Sequence, residues 1–562
     1  MSHHFIALTR FRHRLHKATT LLFSLAVFVL AGCSDGSDSR PGDGGGTGPT
    51  PAPTYSATIE RTEYGTAHVT ADSWGSLGYG QGYAFAQDRF CILMEQVVKV
   101  RGQRARYFGT GAENEHLASD FAYLHLGLVR KSADLIEGIS SEAREMLRGY
   151  VAGYNRYLAD TGADSIPGEC AGADWVGEID AESLMAYWLD LATLAGSRVW
   201  IQEIATATPP GGEPLSAATS FSAHPKGAAS NGFALGGDRT VNGRGVLLSN
   251  VHLPYEDELL GHEVHLKIPG EIDVAGASLS GAMGVQLGFT PSMAWTHTTS
   301  PSNQFIMYTL DLVPGNPTRY YFGDEERDME SSTYTVQVLQ DDGTTVEQSR
   351  TLYSSHYGPM IDPSAFGLAW DESTAFSLFD INAENGSLMD TFLSINRAES
   401  VDELREVFET VGGVPWNHTM ATDSTGEVLY ADATLVPNLT EEGEAAFRAL
   451  VESEGFSFAK VAFGLGLVVL DGSDPLFSVD FDDSATLPGA IPFSEAPKLV
   501  GRRDFVANSN DSYWLSNPNS LLEGFSPPGR ADSKGSIYPG RYPTGAHFKN
   551  GAGVDANRCN PG

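Results

Sequence analysis

A single serine, Ser230, follows a stretch of chain whose composition predicts no regular structure. Residues 206–229 are rich in Pro, Gly, Ala and Ser and have no helical or strand periodicity, so we interpret them as an exposed spacer. If the chain were cut between Ala229 and Ser230, the serine would carry a free α-amine with an ordinary pKa of about 8. That amine could serve as the base that a weakly nucleophilic hydroxyl needs. Spacing alone favours a loop serine without chemistry.

Other patterns of catalytic residues are not found in the sequence. The nearest segment to the nucleophile pattern Gly-x-Ser-x-Gly is 276–281, whose spacing does not match it. Strand alternation and turns explain His262, His265 and His297, and no third ligand accompanies them at metal-binding spacing. We therefore expect neither a metal site nor a cofactor.

The glycine cluster at 78–82, Gly-Tyr-Gly-Gln-Gly, fits two local structures. A phosphate-binding loop would need a fuller glycine pattern and a strand–helix–strand context, which the sequence does not supply. We favour a tight turn that precedes a helix beginning at Tyr83.

Acidic residues dominate the composition. Asp and Glu number 71 against 36 Lys and Arg, which gives a formal net charge of -35. Such a charge repels phosphate backbones and anionic lipids, so we expect no nucleic-acid partner and no electrostatic binding to membranes.

The N-terminus departs from this acidity. Basic residues between Arg10 and Lys17 precede an apolar run at 21–30, and the run closes on Leu-Ala-Gly-Cys33, which resembles a bacterial lipobox. We interpret residues 1–33 as a lipoprotein signal with Cys33 as the lipidated residue, although an ordinary signal peptide with a chance cysteine also fits. Residues 34–54 form a flexible linker. The protein is therefore expected to be exported, periplasmic and lipid-anchored to the outer membrane.

Three cysteines follow Cys33, namely Cys91, Cys170 and Cys559. Export to an oxidising compartment permits a disulfide, and Cys91 with Cys170 is the favoured pair.

Hydrophobic periodicity predicts an α+β protein that is helix-rich first and strand-rich later. Helical spacing marks residues 83–100 and 141–158. Strand-like alternation marks the segments 57–69, 246–248, 263–268, 293–298, 305–312 and 333–339.

Several blocks of sequence resemble the penicillin acylases, a family of N-terminal nucleophile hydrolases, and above all their acyl-homoserine lactone and aculeacin acylase members. The segment from Ser230 to His252 resembles the start of the catalytic β-subunit. The accompanying blocks, in family order, lie at 61–68, 80–88, 101–108, 295–299, 414–417 and 502–512.

The resemblance implies a four-layer αββα sandwich formed by a precursor that cleaves itself. The helix-rich residues 55–205 would form the α-subunit, 206–229 the excised spacer and 230–527 the catalytic β-subunit, and the two subunits would stay together as a heterodimer. The implied activity is hydrolysis of linear amides in small N-acylated molecules, such as acyl-homoserine lactones, lipopeptides or β-lactams. A truncated, non-catalytic envelope lipoprotein of the same fold is the alternative.

The resemblance also assigns roles to individual residues. Cleavage would fall between Ala229 and Ser230, and His252 would hold the α-amine and orient the serine. The backbone N–H of Thr299 and the side-chain amide of Asn510 would stabilise the oxyanion, with Asn508 as the residue most easily confused with Asn510. Leu253 and Trp416 would line the acyl pocket.

This sequence departs from the family pattern at four of these positions. Ala229 stands where many relatives have Gly, and Asn417 stands where many long-chain acylases carry an apolar residue. Ser302 and Gln304 stand at the calcium carboxylates of the β-lactam acylases. The departures leave cleavage rate, chain-length preference and calcium binding open.

The resemblance stops after residue 527. Residues 528–562 are rich in Gly and poor in apolar side chains, so they form an atypical tail that cannot replace a core layer. No arginine matches the one that family members place next to the oxyanion asparagine. We therefore expect a truncated or frame-shifted member of the family.

Overall fold

The computed structural model describes residues 54–216, 229–464, 466–510 and 516, without the side chain of Ala365. The predicted signal, the linker 34–54 up to residue 53, Cys33, Cys559, the spacer residues 217–228 and the tail lie outside the described residues. Across the part of the chain that is described, every helix is too short or too polar to span a membrane.

In the described residues, seven α-helices precede Ser230 and four follow it. They are α1 (Trp74–Val100), α2 (Arg104–Phe108), α3 (Glu115–Leu126), α4 (Leu128–Gly138), α5 (Ser141–Thr161), α6 (Ala181–Ala192), α7 (Ile201–Thr206), α8 (Leu388–Arg397), α9 (Val401–Thr410), α10 (Glu441–Glu452) and α11 (Phe458–Gly464). The helix predicted over 141–158 is confirmed as α5, which Ser140 caps by accepting a hydrogen bond from the Ala143 N–H at 3.1 Å.

The glycine cluster lies inside α1, so both the turn and the phosphate loop considered for it are wrong. A Cβ atom added at Gly78 would lie 2.1 Å from the carbonyl oxygen of Met146, and one at Gly82 would lie 2.2 Å from that of Tyr150. On the facing helix α5, a Cβ atom at Gly149 would lie 1.9 Å from the Gly75 oxygen. The glycines therefore let α1 and α5 approach more closely than larger residues would allow.

Nineteen strands are present in the described residues. They are β1 (Ala57–Arg61), β2 (Ala67–Ala71), β3 (Ala229–Leu235), β4 (Val246–His252), β5 (Gly261–Ile268), β6 (Ile272–Leu279), β7 (Leu287–Phe289), β8 (Met293–Thr299), β9 (Phe305–Val313), β10 (Asn316–Phe322), β11 (Glu325–Asp328), β12 (Glu330–Leu339), β13 (Thr345–Ser354), β14 (Thr374–Asp380), β15 (Asn417–Asp423), β16 (Val428–Ala431), β17 (Val469–Asp471), β18 (Lys498–Arg502) and β19 (Phe505–Asn508). Each predicted strand is found, and the segment 57–69 contains two, β1 and β2, which pair as an antiparallel hairpin.

The strands form four sheets. The largest has nine strands in the order β1-β2-β5-β6-β7-β8-β15-β16-β18, and a three-stranded sheet has the order β19-β3-β4. A five-stranded sheet contains β11-β10-β9-β14 with β17 beside β9, and β12 pairs with β13. Because β1 and β2 belong to the nine-stranded sheet, the segment before the spacer contributes strands as well as helices.

Helices and the three-stranded sheet cover opposite faces of the nine-stranded sheet. Every residue of its strand β15 is buried. On one face His297 packs edge-on against Phe392 of α8, with ring centroids 6.1 Å apart. On the other face Thr296 bonds to Ser249 of β4 at 2.7 Å. The α+β class is confirmed.

The described residues supply three of the four predicted layers. The outer face of the three-stranded sheet bears apolar side chains in contact with solvent, and Phe233 and its cross-strand partner Leu248 are 39% and 55% exposed. No helix of the described residues covers this face, so the fourth predicted layer is not found among them.

Two connections between distant segments bear on the predictions. Cys91 and Cys170 form a disulfide, which confirms the favoured pair.

The first residues of the predicted spacer belong to the folded part of the chain. Thr206 ends α7 and Ala207 is buried. Arg350 holds this region by donating hydrogen bonds to the carbonyl oxygens of Thr206 and Glu213, at 3.1 and 2.9 Å.

Candidate active site

Ser230 lies inside strand β3 and is almost completely buried. The strand begins at Ala229, so the predicted cleavage point is a peptide bond within a sheet, where Ser230 pairs with Val251 of β4. The Ser230 hydroxyl donates a hydrogen bond to the carbonyl oxygen of Ala229 at 2.5 Å. The hydroxyl is therefore adjacent to the peptide group that it would attack.

Asn510 joins Ser230 to Thr299. Its Oδ1 accepts hydrogen bonds from the backbone N–H groups of Ser230 and Thr299, each at 3.0 Å, and its Nδ2 donates to the carbonyl oxygen of Ser230 at 2.9 Å. Two N–H donors on one side of the amide fix the orientation of its oxygen. Asn510 has a φ of 66°, a left-handed conformation that Asn tolerates better than most residues.

Asn508 holds Asn510 in position. Its Oδ1 accepts hydrogen bonds from the Asn510 backbone N–H at 2.7 Å and from the Thr298 hydroxyl at 2.6 Å. Of the two asparagines that the sequence leaves easily confused, Asn510 is the one that contacts Ser230.

The two predicted oxyanion donors are engaged in this uncut chain. The Thr299 N–H bonds to Asn510 Oδ1, and Asn510 Nδ2 bonds to the chain at Ser230. To bind an oxyanion, both donors would have to exchange these partners for the substrate oxygen. Their roles stay predictions.

His252 lies on the opposite face of the same sheet from the Ser230 side chain. It pairs in register with Ala229, is exposed, and its Nε2 is 3.5 Å from the Asn231 side-chain nitrogen. Among the described residues its ring makes no hydrogen bond to Ser230. The role predicted for His252 also stays a prediction.

A cavity of about 50 Å³ opens beside Ser230. Leu253, Thr299 and Trp416 line it together with Ser230. Helices contribute walls that the sequence did not identify, namely Trp188 and Leu191 of α6 and Leu388 and Phe392 of α8. Helical periodicity indicates that such residues point inward, but it does not indicate which strand they face.

Trp416 is fixed as a cavity wall by two hydrogen bonds. Its indole N–H donates to the carbonyl oxygen of Leu191 at 2.9 Å, and its backbone N–H donates to Gln304 Oε1 at 3.0 Å. Ser302 bonds to Asp432 at 3.0 Å. Ser302 and Gln304, the positions compared with calcium carboxylates, thus hold neighbouring groups of this chain. No cluster of three or more potential metal ligands occurs in the described residues.

None of the described residues that line the cavity is Asp, Glu, Lys or Arg. The titratable side chain among them is His297, whose pKa is lowered by burial to about 4. Its Nδ1 lies 3.1 Å from the Thr419 hydroxyl and 3.3 Å from the carbonyl oxygen of His418. At neutral pH the cavity therefore has no charged wall, and it suits an uncharged, largely apolar ligand.

Next to the cavity lies a group of charges that we term the charge cluster, formed by the buried Lys99 and Asp190 and the partly buried Arg198 and Glu258. Asp190 Oδ2 is 2.8 Å from Lys99 Nζ and 3.1 Å from an Arg198 guanidinium nitrogen, and Arg198 also pairs with Glu258. Burial alone would raise the pKa of Glu258, but the charges of Arg198 and Lys99 outweigh it and lower that pKa to about 2. The cluster links the segment before the spacer to the segment after it.

Comparison with known proteins adds to this geometry. A family model described as Penicillin amidase matches residues 56–536. Acyl-homoserine lactone acylase PvdQ of Pseudomonas fluorescens (strain Pf0-1) is 37% identical over 487 residues, covering 84% of this chain and 60% of its own length. Aculeacin-A acylase of Actinoplanes utahensis is 34% identical over 533 residues, covering 91% of this chain and 64% of its own. This chain thus spans about 60% of the length of these curated relatives.

A solved structure, thermostable penicillin G acylase from Alcaligenes faecalis, matches with a TM-score of 0.38 and 16% identity over 52% of this chain and 45% of that chain.

Proposed function

Because the chain belongs to the penicillin amidase family, we propose that Ser230 is the N-terminal nucleophile of a hydrolase of linear amide bonds. One observation carries the proposal: the Ser230 hydroxyl lies at the Ala229 carbonyl and borders a cavity without charged walls. One serine then serves two reactions, first on its own chain and afterwards on a bound amide.

The first reaction is self-cleavage. The Ser230 oxygen attacks the carbonyl carbon of Ala229, the C–N bond of that peptide breaks, and the hydroxyl proton passes to the departing nitrogen. Water then hydrolyses the resulting ester, which leaves a carboxylate on Ala229 and a free α-amine on Ser230. Removal of the spacer gives two chains that remain associated as a heterodimer.

The second reaction is hydrolysis of an N-acyl bond. The Ser230 oxygen attacks the substrate carbonyl while the α-amine accepts its proton through a water molecule, and the N–H of Thr299 and the amide of Asn510 stabilise the oxyanion. The proton is delivered to the leaving amine, and water releases the acyl group as a carboxylic acid. His252 is proposed to hold the α-amine once cleavage has freed it.

The substrates are proposed to be small N-acylated molecules with an apolar acyl group. An acyl chain bound in an uncharged cavity loses little solvation energy, whereas a charged group would have no counter-ion there. The relatives' names point to the same class, since one is called an acyl-homoserine lactone acylase and another an aculeacin-A acylase.

We further propose that the enzyme is exported and lipid-anchored through Cys33. The disulfide between Cys91 and Cys170 supports an oxidising compartment. Mass spectrometry of the N-terminal peptide tests the anchor. A diacylated Cys33 that is lost in Cys33→Ser is expected, and an unmodified cysteine in membrane-free protein would contradict it.

The test of the enzyme is to express the chain from residue 34 and to sequence the N-terminus of any fragment. We expect a fragment that begins Ser-Asn-Gly-Phe, together with release of carboxylic acid from N-acyl amides. Ser230→Ala is expected to remain a single chain without activity, and Ser230→Cys, which keeps a nucleophile, is the matched control that should still be cut.

The rival is a non-catalytic envelope lipoprotein of the same fold. A folded single chain that is never cut and releases no acid would favour the rival over the hydrolase.

A further inference from the structure

Asn417 is a polar residue on the wall of the cavity beside the reacting carbonyl. It begins β15, where it pairs directly with Thr299 of β8, and it is buried. The Cβ atoms of such cross-strand partners lie about 5 Å apart. Because the Thr299 N–H is the proposed oxyanion donor, Asn417 lies next to the first carbons of an acyl chain bound there.

The orientation of the Asn417 side-chain amide is set by the loop that precedes β15. Its Nδ2 donates a hydrogen bond to the carbonyl oxygen of Pro415 at 2.9 Å, so Oδ1 points the other way. No described residue donates to this oxygen, and it is not among the polar atoms that protein encloses without a partner. Asn417 therefore presents a free hydrogen-bond acceptor to the cavity.

Two other polar side chains of the cavity are already occupied or enclosed. Gln286 accepts from the Leu279 N–H at 3.0 Å and donates to the Met283 carbonyl at 2.8 Å. The Nε2 atom of His297 is enclosed by protein. Apart from the hydroxyls of Ser230 and Thr299, Asn417 Oδ1 is thus the side-chain acceptor of the described cavity walls that remains for the acyl group.

We propose that Asn417 makes the cavity selective for acyl chains that carry a hydroxyl group close to the reacting carbonyl. This inference rests on the proposed function. A hydroxyl can donate to Oδ1, whereas a methylene leaves that acceptor desolvated and unpaired, and a ketone places a second acceptor against it. An ammonium group could also donate, but the uncharged cavity offers it no counter-ion.

The experiment compares three amides of one amine whose acyl chains have equal length and differ only in a hydroxyl, a ketone or hydrogen at carbon 3. For the cut wild-type enzyme we expect kcat/KM to be about tenfold higher for the hydroxyacyl amide than for the unsubstituted one, as one added neutral hydrogen bond provides. In Asn417→Leu, which has the same number and branching of side-chain heavy atoms, we expect this order to reverse. Equal preference in both proteins would overturn the proposal.

A binding measurement separates this proposal from the proposed function. Uncut Ser230→Ala protein, which lacks the proposed nucleophile, is titrated with the same three uncharged amides, and binding is followed by the shift in thermal denaturation. If the wild-type protein hydrolyses no amide but the hydroxyacyl amide still binds about tenfold more tightly, the proposed function fails and the specificity stands. If amides are hydrolysed without preference for the hydroxyl and the three amides bind alike, the specificity fails and the function stands.

Discussion

Helix α6 contacts the segment after the spacer through two surfaces of opposite chemistry. One surface places Trp188 and Leu191 on the cavity, where the described walls carry no acidic or basic residue. The other places Asp190 in the charge cluster with Lys99, Arg198 and Glu258. One short helix thus contributes both to the ligand site and to the attachment between the two segments.

The difference shows how the two surfaces divide their roles. Apolar walls can receive an acyl chain without leaving a polar group unpaired, whereas buried charges are stable only while each keeps its partner. After self-cleavage the segments before and after the spacer would be separate chains. The charge cluster would then fix their register, because Glu258 lies in one chain and its partner Arg198 in the other.

The largest expected effect comes from breaking the charged surface with Asp190→Asn. This change leaves Lys99 and Arg198 buried with one counter-charge between them, so we expect the free energy of unfolding to fall by about 3–5 kcal/mol. Urea denaturation of the uncut Ser230→Ala protein measures the loss. Asp402→Asn is the matched control, because its side chain is 78% exposed in its pair with Arg405, and there we expect a change within about 0.5 kcal/mol. If Asp190→Asn changed the free energy of unfolding as little as Asp402→Asn does, the charge cluster would be no more stabilising than a surface ion pair.

A second prediction concerns the pH dependence of the same surface. Folding lowers the pKa of Glu258 from 4.5 to about 2, so its ionised form is favoured in the folded state. Its contribution is therefore fully present above pH 4.5 and is lost as pH falls toward 2, amounting to about 3 kcal/mol. We expect Glu258→Gln to lower stability at pH 6 and to flatten the loss on acidification. Urea midpoints at pH 6, 4 and 3 measure both, and parallel curves for the two proteins would contradict the assignment.

Local periodicity was sufficient to predict much of the secondary structure. The alternation at 263–268 predicts β5, and helical spacing predicts α5, because the buried side chains of each segment recur at a regular, short spacing in the sequence. The glycines of α1 were misinterpreted, since their role is to accommodate α5, which lies about 70 residues away in sequence. Such a contact leaves no local signal.

Local sequence patterns identified even less of the site. Ser230, Thr299, Asn510, Leu253 and Trp416 were named from a family resemblance that the matches confirm. The structure places four of them around one cavity, and Asn510 is hydrogen bonded to Ser230 and Thr299. Their spacing alone predicted none of this. The charge cluster was missed because its four members come from three separate parts of the chain, with only Asp190 and Arg198 close in sequence, and each alone resembles an ordinary surface charge.

The smallest effect is expected on the apolar surface, from Trp416→Phe. The change removes the indole N–H that donates to the Leu191 carbonyl oxygen of α6, so stability should fall by about 1–2 kcal/mol. The cavity wall would also be less firmly held, and we expect KM for an N-acyl amide to rise several-fold with little change in kcat. Trp370→Phe is the matched control, since Trp370 donates a hydrogen bond of the same 2.9 Å length to Pro317 but does not line the cavity. It should lose similar stability with no change in KM. An equal rise in KM for both variants would mean that Trp416 acts through general stability rather than as the contact that holds the cavity wall to α6.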